Sequence, residues 1–104
     1  LIQKACDYID NNASKKLSLD DIAKKVNLSP YYFARLFKKT VGLSPHSYLV
    51  QRRVEIAKDV IANAGDLVEA AISAGFSDQS HMNRRFKERY GITPGQYKSG
   101  ITMD

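Results

Sequence analysis

The sequence predicts an all-α protein of seven helices, arranged as two helix-turn-helix subdomains that a long linker helix joins. Two observations support this prediction. Residues 18–42 contain a short helical pattern, a turn of about three residues and a second, basic helical pattern, which is the order of a helix-turn-helix motif. The same order of signals returns between residues 66 and 91. The predicted first subdomain is residues 1–44, the linker helix is residues 45–64 and the second subdomain is residues 65–104.

The first half of the chain contains three helical patterns. Residues 1–12 form an amphipathic helix that we expect to stabilise its neighbours rather than to contact a ligand. A second helix begins at the capping box S-L-D-D and covers residues 18–26. A third covers residues 30–41, with Ser29 as its N-cap, a proline at its first position and Gly42 as its stop.

The third helix has two chemically different faces. At about 100° per residue, its apolar face consists of Phe33, Leu36, Phe37, Thr40 and Val41. The opposite face carries Tyr31, Arg35, Lys38 and Lys39. We therefore expect one face to build a core and the other to offer an aromatic ring and three cations to a partner.

The second half repeats this pattern after the linker helix. Gly65 is the predicted stop of that helix, Asp66 begins a short helix with a capping box, and Asp78 begins a basic helix that Gly91 ends. A last helix follows, and residues 100–104 are predicted to be a loose tail. The halves align at an offset of 48 up to the turn and 49 after it: Ala23 with Ala71, Leu28 with Phe76, Ser29 with Asp78, Arg35 with Arg84, Phe37 with Phe86 and Gly42 with Gly91.

Positive charge is concentrated in two islands. The chain carries a formal net charge of +5 and has an isoelectric point near 9.4. Residues 29–53 hold five cations and no carboxylate, and residues 84–98 hold five cations and one glutamate, whereas residues 54–83 carry a net charge of −4. This distribution favours a polyanionic partner.

Several features point to a cytoplasmic protein. A single cysteine, Cys6, excludes an internal disulfide and suits a reducing compartment. No apolar run approaches the roughly 18 residues that a membrane span needs, and no signal-peptide pattern opens the sequence. The chain starts without methionine and already inside a helical pattern, so we expect it to be a fragment of a longer protein.

The residues from 76 to 98, F-S-D-Q-S-H-M-N-R-R-F-K-E-R-Y-G-I-T-P-G-Q-Y-K, resemble the DNA-binding domain of the AraC/XylS family of bacterial transcription regulators. A looser copy precedes them, and the resemblance covers nearly the whole chain. It implies two recognition helices, at about residues 30–41 and 79–90, in successive major grooves of a bipartite promoter site on double-stranded DNA. It also implies RNA polymerase as a partner of an activator, and an effector or dimerisation domain elsewhere in the full-length chain.

The resemblance and the repeat together select the candidate DNA contacts. Arg35 and Arg84 are either solvated surface residues or, as their matched positions favour, readers of guanine O6 and N7, or of a phosphate if the helix sits shallowly in the groove. The resemblance carries base-reading roles to Tyr31, Ala34, Ser80 and Asn83, while Gln79 is placed equally well on a base or a phosphate. Ala34 could touch only a thymine methyl, whereas Asn83 is able to pair with adenine. Phosphate contacts are predicted for Lys38, Lys39, His81, Arg85 and Lys87.

Large aromatic and sulfur side chains at core spacing are expected to pack inside rather than to stack on nucleotides. These are Phe33, Phe37, Tyr48, Phe76, Met82, Phe86, Tyr90 and Tyr97. Two other classes of protein are weaker readings. An enzyme is disfavoured because no catalytic set, glycine-rich phosphate loop, metal-ligand spacing or cofactor motif is present. A helical module that binds an acidic protein would also use basic helices. An affinity for single-stranded RNA equal to that for duplex DNA would indicate a different nucleic-acid ligand.

Overall fold

The computed structural model describes residues 1–102, with side chains described as far as residue 100. These residues form seven α-helices and no strand, which confirms the predicted fold class. The helices are α1 (Ile2–Asn12), α2 (Leu19–Lys25), α3 (Pro30–Val41), α4 (Pro45–Ala62), α5 (Leu67–Ser73), α6 (Gln79–Tyr90) and α7 (Pro94–Thr102). Within the described range, no helix combines the length and the apolar content needed to cross a bilayer.

The chain divides into two compact units, and the division falls inside α4. Unit 1 is Leu1–Val50, and unit 2 begins at Gln51. The N-terminal part of α4 therefore belongs to unit 1 and its longer C-terminal part to unit 2. Residues 45–64 were predicted to be one separate linker helix, because helical periodicity does not reveal which unit each turn of a helix packs against.

Unit 1 is built around two phenylalanines of α3. Phe33 and Phe37 are fully buried, with ring centroids 5.6 Å apart, and Phe37 makes an edge contact of 5.6 Å with Tyr48 of α4. The other buried apolar side chains of unit 1 are Ile2, Ala5, Ile9, Ala13, Ile22, Ala23, Val26 and Leu49. Thr40, which helical spacing assigned to the core face, is exposed although it lies within the apolar arc.

Unit 2 has a corresponding core. Met82 and Phe86 of α6 are fully buried, and the Phe86 ring lies 5.8 Å from Tyr97 and 4.8 Å from Tyr90. Phe76 is also buried, whereas all three tyrosines expected in the two cores are only half-buried. On α5, Ile72 is 71% exposed whereas Ala70 and Ala71 are buried, so the alanine side of this short helix faces the core.

The internal repeat is present in the hydrogen bonds as well as in the sequence. In the turn of each motif, the residue after a left-handed position donates to the α2 or α5 backbone: Leu28 N–H to Ala23 O at 3.1 Å, and Phe76 N–H to Ala71 O at 3.0 Å. The left-handed positions are Asn27, with φ of 58°, and Gly75, with φ of 87°. The offset of 48 predicted for this part of the repeat is confirmed.

A further correspondence links α1 with the second part of α4. The buried residues Ile2, Ala5 and Ile9 of α1 have counterparts in Val54, Ala57 and Ile61, all at an offset of 52. Each unit therefore begins with an apolar helix face of the same spacing, followed by its helix-turn-helix motif. The sequence analysis missed this equivalence because α4 is continuous and carries no start signal at Gln51.

The end of α4 differs from the prediction by two residues. The helix ends at Ala62 rather than Ala64, and Ala64 itself adopts the left-handed conformation, with φ of 71°. Gly65 then donates its N–H to Val60 O at 2.8 Å. A Cβ atom at position 65 would lie only 2.8 Å from that same oxygen. Glycine is therefore required at position 65 because the Val60 backbone lies close to it. Ala64, rather than Gly65, adopts the left-handed conformation in which glycine usually ends a helix.

The predicted tail was also placed too early. Helix α7 continues to Thr102, so the prediction of a loose tail is wrong for residues 100–102. The rest of the predicted tail, Met103 and Asp104, lies outside the described residues.

Candidate nucleic-acid interface

Helix α3 is held at both ends by local hydrogen bonds. Ser29 Oγ accepts from Tyr32 N–H at 3.3 Å, and Pro30 occupies the first turn, where no donor is required. At the other end Gly42, with φ of 93°, donates its N–H to Lys38 O at 2.9 Å. The predicted cap and stop of this helix are confirmed, and they fix the position of the basic face.

The outer face of α3 forms one continuous surface with the loop that follows. Tyr31 is 72% exposed, Arg35, Lys38 and Lys39 are exposed, and Ala34 is half-buried. A shallow groove is lined by Tyr31, Ala34, Arg35, Lys38, Lys39 and Ser44. All residues of α3 that the sequence selected for DNA contact therefore lie on this one surface.

Two of these residues contact each other. Arg35 donates from Nη1 to the hydroxyl of Tyr31 at 3.3 Å, and its guanidinium carbon lies 5.6 Å from the centre of the Tyr31 ring. They are four residues apart, which places them next to each other on the helix surface. The aromatic ring and the cation thus form a single unit on the outer face.

Helix α6 begins and ends in the same way as α3. Asp78 Oδ1 accepts from His81 N–H at 2.7 Å, and Gly91, with φ of 80°, donates its N–H to Lys87 O at 2.8 Å. These bonds match those of Ser29 and Gly42 at an offset of 49, which confirms the second part of the repeat. The negative charge of Asp78 at the helix N-terminus is also favourable for the helix dipole.

The candidate residues of α6 differ in exposure. Ser80, Arg84 and Lys87 are exposed, whereas Gln79, His81, Asn83 and Arg85 are half-buried. Arg84 lies six residues after the cap Asp78, as Arg35 lies six residues after the cap Ser29. The two arginines therefore occupy the same position on the two helices, away from the buried Phe37 and Phe86.

Two candidates on α6 are constrained by their surroundings. Arg85 Nη1 forms an ion pair with Glu88 Oε2 at 3.0 Å, and its buried Nε donates to no described residue. The Oδ1 atom of Asn83 is buried and accepts no hydrogen bond from the described residues. A bidentate contact of Asn83 with adenine needs both amide atoms, so it requires this side chain to rotate.

His81 lies partly inside unit 2. Its ring makes an edge contact of 5.2 Å with Phe76, and its Nδ1 lies 3.5 Å from Ser77 Oγ. Burial lowers the pKa of His81, and the positive charges of Arg85 and Arg84 lower it further. At neutral pH a phosphate contact by His81 would therefore use a ring N–H of the neutral form.

Two further observations concern metal binding and cysteine chemistry. Within residues 1–102, no group of three His, Cys, Asp or Glu side chains is placed to hold a metal ion. Cys6 is half-buried, and burial raises the pKa of its thiol, which opposes nucleophilic reactivity. Two helix-turn-helix motifs, each with an exposed basic second helix, define the chain as a DNA-binding domain of the helix-turn-helix class.

Comparisons with known proteins agree with this class. A family model described as a helix-turn-helix domain matches residues 22–100. The regulatory protein PocR of Salmonella typhimurium is 35% identical over 101 residues, covering 96% of this chain and 33% of PocR. The HTH-type transcriptional activator AarP of Providencia stuartii is 31% identical over 103 residues, covering 98% of this chain and 76% of AarP.

Solved structures show the same fold. A transcriptional regulator from Chromobacterium violaceum, described as containing an AraC-type DNA-binding domain, superposes with a TM-score of 0.88 at 27% identity, covering 96% of this chain and 90% of that one. The DNA-binding domain of AdpA, solved in complex with a target DNA, superposes with a TM-score of 0.90 at 19% identity, covering 98% and 93%, which is a likeness of fold.

The chain belongs to the AraC-type helix-turn-helix family, which confirms the resemblance seen in the sequence. Sequence-specific DNA binding by a transcription regulator is the function that this membership supports. The chain spans about a third of the length of PocR.

Proposed function

We propose that this domain reads a bipartite site in a promoter, with α3 and α6 as recognition helices in successive major grooves of double-stranded DNA. One observation supports this most directly: the same exposed basic face stands at the same distance from the cap on two helices, one in each compact unit. A helix of this kind fits the major groove, and its N-terminal half reaches the base edges.

The base contacts come from the outer faces of both helices. On α3 they are Tyr31, Ala34 and Arg35, and on α6 they are Gln79, Ser80, Asn83 and Arg84. The forked donors of Arg35 and Arg84 suit O6 and N7 of guanine, and both side chains are exposed. Ala34 offers only a methyl group, so unit 1 makes fewer hydrogen bonds to bases than unit 2.

The phosphate contacts come from the C-terminal parts and edges of the same faces. They are made by Lys38, Lys39, His81, Arg85 and Lys87. Lysine acts on phosphate as a point charge and carries no sequence information. Arg85 contributes less than a fully available arginine because it is paired with Glu88.

The roles of the three predicted segments follow from this assignment. Residues 1–44 and 65–104 are the two reading modules, and residues 45–64 join them. Because both modules belong to one chain, binding of the first raises the effective concentration of the second at a correctly spaced element. The affinity for a bipartite site then exceeds that of either module alone.

The full-length protein is proposed to be a cytoplasmic bacterial regulator. Its effector or dimerisation domain lies outside this sequence, and its partner at the promoter is RNA polymerase. The domain itself acts by binding, without catalysis, cofactor or metal.

Salt dependence tests DNA binding by this surface. If five or six phosphates are neutralised, the slope of log K against log salt concentration is about −5. Arg84→Ala is expected to cost about 1 to 3 kcal/mol on the preferred site, whereas Lys38→Ala weakens binding to every duplex alike. Lys4→Ala on the outer face of α1 is the matched control and leaves both affinities unchanged. A slope between 0 and about −1 contradicts the proposal.

Spacing tests the bipartite site. Inserting five base pairs, about half a helical turn, between the two elements moves the second to the opposite side of the duplex. The affinity is then expected to fall to that of a single module. Unchanged affinity with both footprints retained would show that the elements are read independently. Tight binding to an acidic protein, with no preference for duplex DNA, would favour the interaction module instead.

A further inference from the structure

We infer that Tyr31 is a positioning residue for Arg35, so that the side chain of Arg35 is more ordered than that of Arg84 before DNA binds. Arg35 is held by the aromatic side chain four residues before it, whereas Ser80 stands four residues before the equivalent Arg84, and the His81 ring, three residues before Arg84, packs on Phe76. This inference deepens the proposed function and rests on it for the reading of bases.

Tyr31 restrains Arg35 in two ways. The hydroxyl of Tyr31 accepts a hydrogen bond from Arg35 Nη1 at 3.3 Å, which fixes the direction of the guanidinium group. The guanidinium carbon also lies 5.6 Å from the ring centre, within the range of a cation–π contact. Tyrosine loses only two side-chain rotations when ordered, so it is a suitable support for a long, flexible side chain.

The corresponding position of unit 2 cannot provide this support. At the offset of 49, Tyr31 corresponds to Ser80 and Arg35 to Arg84. The serine side chain ends at Oγ and is too short to reach a guanidinium group four residues away. Glu88, four residues after Arg84, is engaged in the ion pair with Arg85 at 3.0 Å.

The difference affects how each unit tolerates sequence changes. A free arginine side chain populates many rotamers and loses this freedom on binding, which weakens the contact. Tyr31 already restricts the rotamers of Arg35 in the free protein, so Arg35 loses less conformational entropy when DNA binds. We therefore expect Arg35 to discriminate strongly at one base pair. Arg84 keeps its freedom and can move between a base edge and a nearby phosphate. We expect unit 1 to read its guanine strictly and unit 2 to accept more variants.

The first test uses the 104-residue domain without DNA. Relaxation of the side-chain Nε nuclei measures the order of each arginine on the nanosecond timescale. Arg35 is expected to be more ordered than Arg84. Tyr31→Ala lowers the order of Arg35 to the level of Arg84, Tyr31→Phe lowers it partly, and Ser80→Tyr raises the order of Arg84. Equal order in the unmodified domain, or no response to Tyr31→Ala, overturns the inference whether or not the domain binds DNA as proposed.

The second test measures discrimination at the base pair that Arg35 reads, as the ratio of Kd values for the substituted and the preferred duplex. Tyr31→Phe keeps the ring but removes the hydroxyl, and we expect the ratio to fall about 2-fold to 10-fold. In an Arg35→Ala background the same change has no further effect, because the group that it positions is gone. Losses of discrimination at this base pair that multiply in the double variant would show that Tyr31 contacts the same base pair independently, and would overturn the positioning role.

The two tests fail separately. If Arg35→Ala leaves discrimination unchanged at every base pair, the base-reading role of Arg35 in the proposed function is wrong. The relaxation data still decide whether Tyr31 orders Arg35. Circular dichroism of each variant confirms that the exposed substitutions leave the helices intact.

Discussion

Two neighbouring residues after α4 are expected to respond in opposite directions to exchange between alanine and glycine. Ala64 has φ of 71°, a conformation that strains an L-residue with a side chain. Gly65 has an ordinary φ but little space, since a Cβ atom there would lie 2.8 Å from Val60 O and closer still to Val60 Cγ1. We predict that Ala64→Gly stabilises the domain and that Gly65→Ala destabilises it.

The magnitudes follow from these two geometries. The left-handed conformation destabilises the folded state by about 1 to 2 kcal/mol when the residue is alanine, and glycine removes this strain. Glycine also gives the unfolded chain more conformational freedom, which offsets about 0.4 to 1 kcal/mol of that gain. Ala64→Gly should therefore raise the free energy of unfolding by up to about 1.5 kcal/mol. Gly65→Ala forces apart the backbone that forms the 2.8 Å bond from Gly65 N–H to Val60 O. Crowding of this kind costs about 1 to 3 kcal/mol.

Urea denaturation at 25 °C measures both changes. Far-UV circular dichroism and tyrosine fluorescence should be followed together, because coincident curves are needed for a two-state free energy and the chain has no tryptophan. Ala62→Gly is the matched control: Ala62 is the last residue of α4 and its φ is not positive, so this change relieves no strain and should cost up to about 1 kcal/mol. If Ala64→Gly destabilises as much as Ala62→Gly does, the assignment of the left-handed turn to Ala64 is refuted.

Three further predictions concern individual contacts. Tyr48→Phe removes the hydroxyl that donates to Asp10 Oδ1 at 2.9 Å. This change should lower the free energy of unfolding, measured in urea, by about 1 kcal/mol. No change would mean that water replaces the hydrogen bond. The side-chain and backbone hydrogen bonds of Ser18 lower the pKa of Asp21, so the contribution of Asp21 to stability is present above its unfolded pKa and is lost as the pH falls through its lower folded pKa. Carboxyl NMR titration should show this lowered pKa, and Ser18→Ala should raise it only part of the way to its ordinary value because the backbone N–H of residue 18 still donates. An unshifted pKa of Asp21 in the original chain would disprove the prediction. Glu88→Gln releases Arg85 and should tighten binding to any duplex by about 2-fold to 5-fold at low salt, whereas weaker binding would place Arg85 away from phosphate.

The sequence alone determined the helices, their caps and the internal repeat. A cap involves residues within four positions of one another, so Ser18, Ser29 and Asp78 could be assigned without knowledge of what packs around them. The periodicity of α3 and α6 likewise predicted Phe37 and Phe86 in the core and both outer arginines on the surface. The family followed from the same local pattern.

The tertiary structure decided everything that depends on contacts between elements. The division of α4 between two units and the exposure of Ile72 could not be inferred from spacing. A helical period states which residues share a face, but the neighbouring helices decide how much of that face is covered. For this reason the candidate DNA contacts were identified by position, while the buried amide oxygen of Asn83 became visible only in three dimensions. The spacing of Tyr31 and Arg35 allows them to meet on the helix surface, but only the structure shows the side-chain conformation that brings the guanidinium group to the hydroxyl.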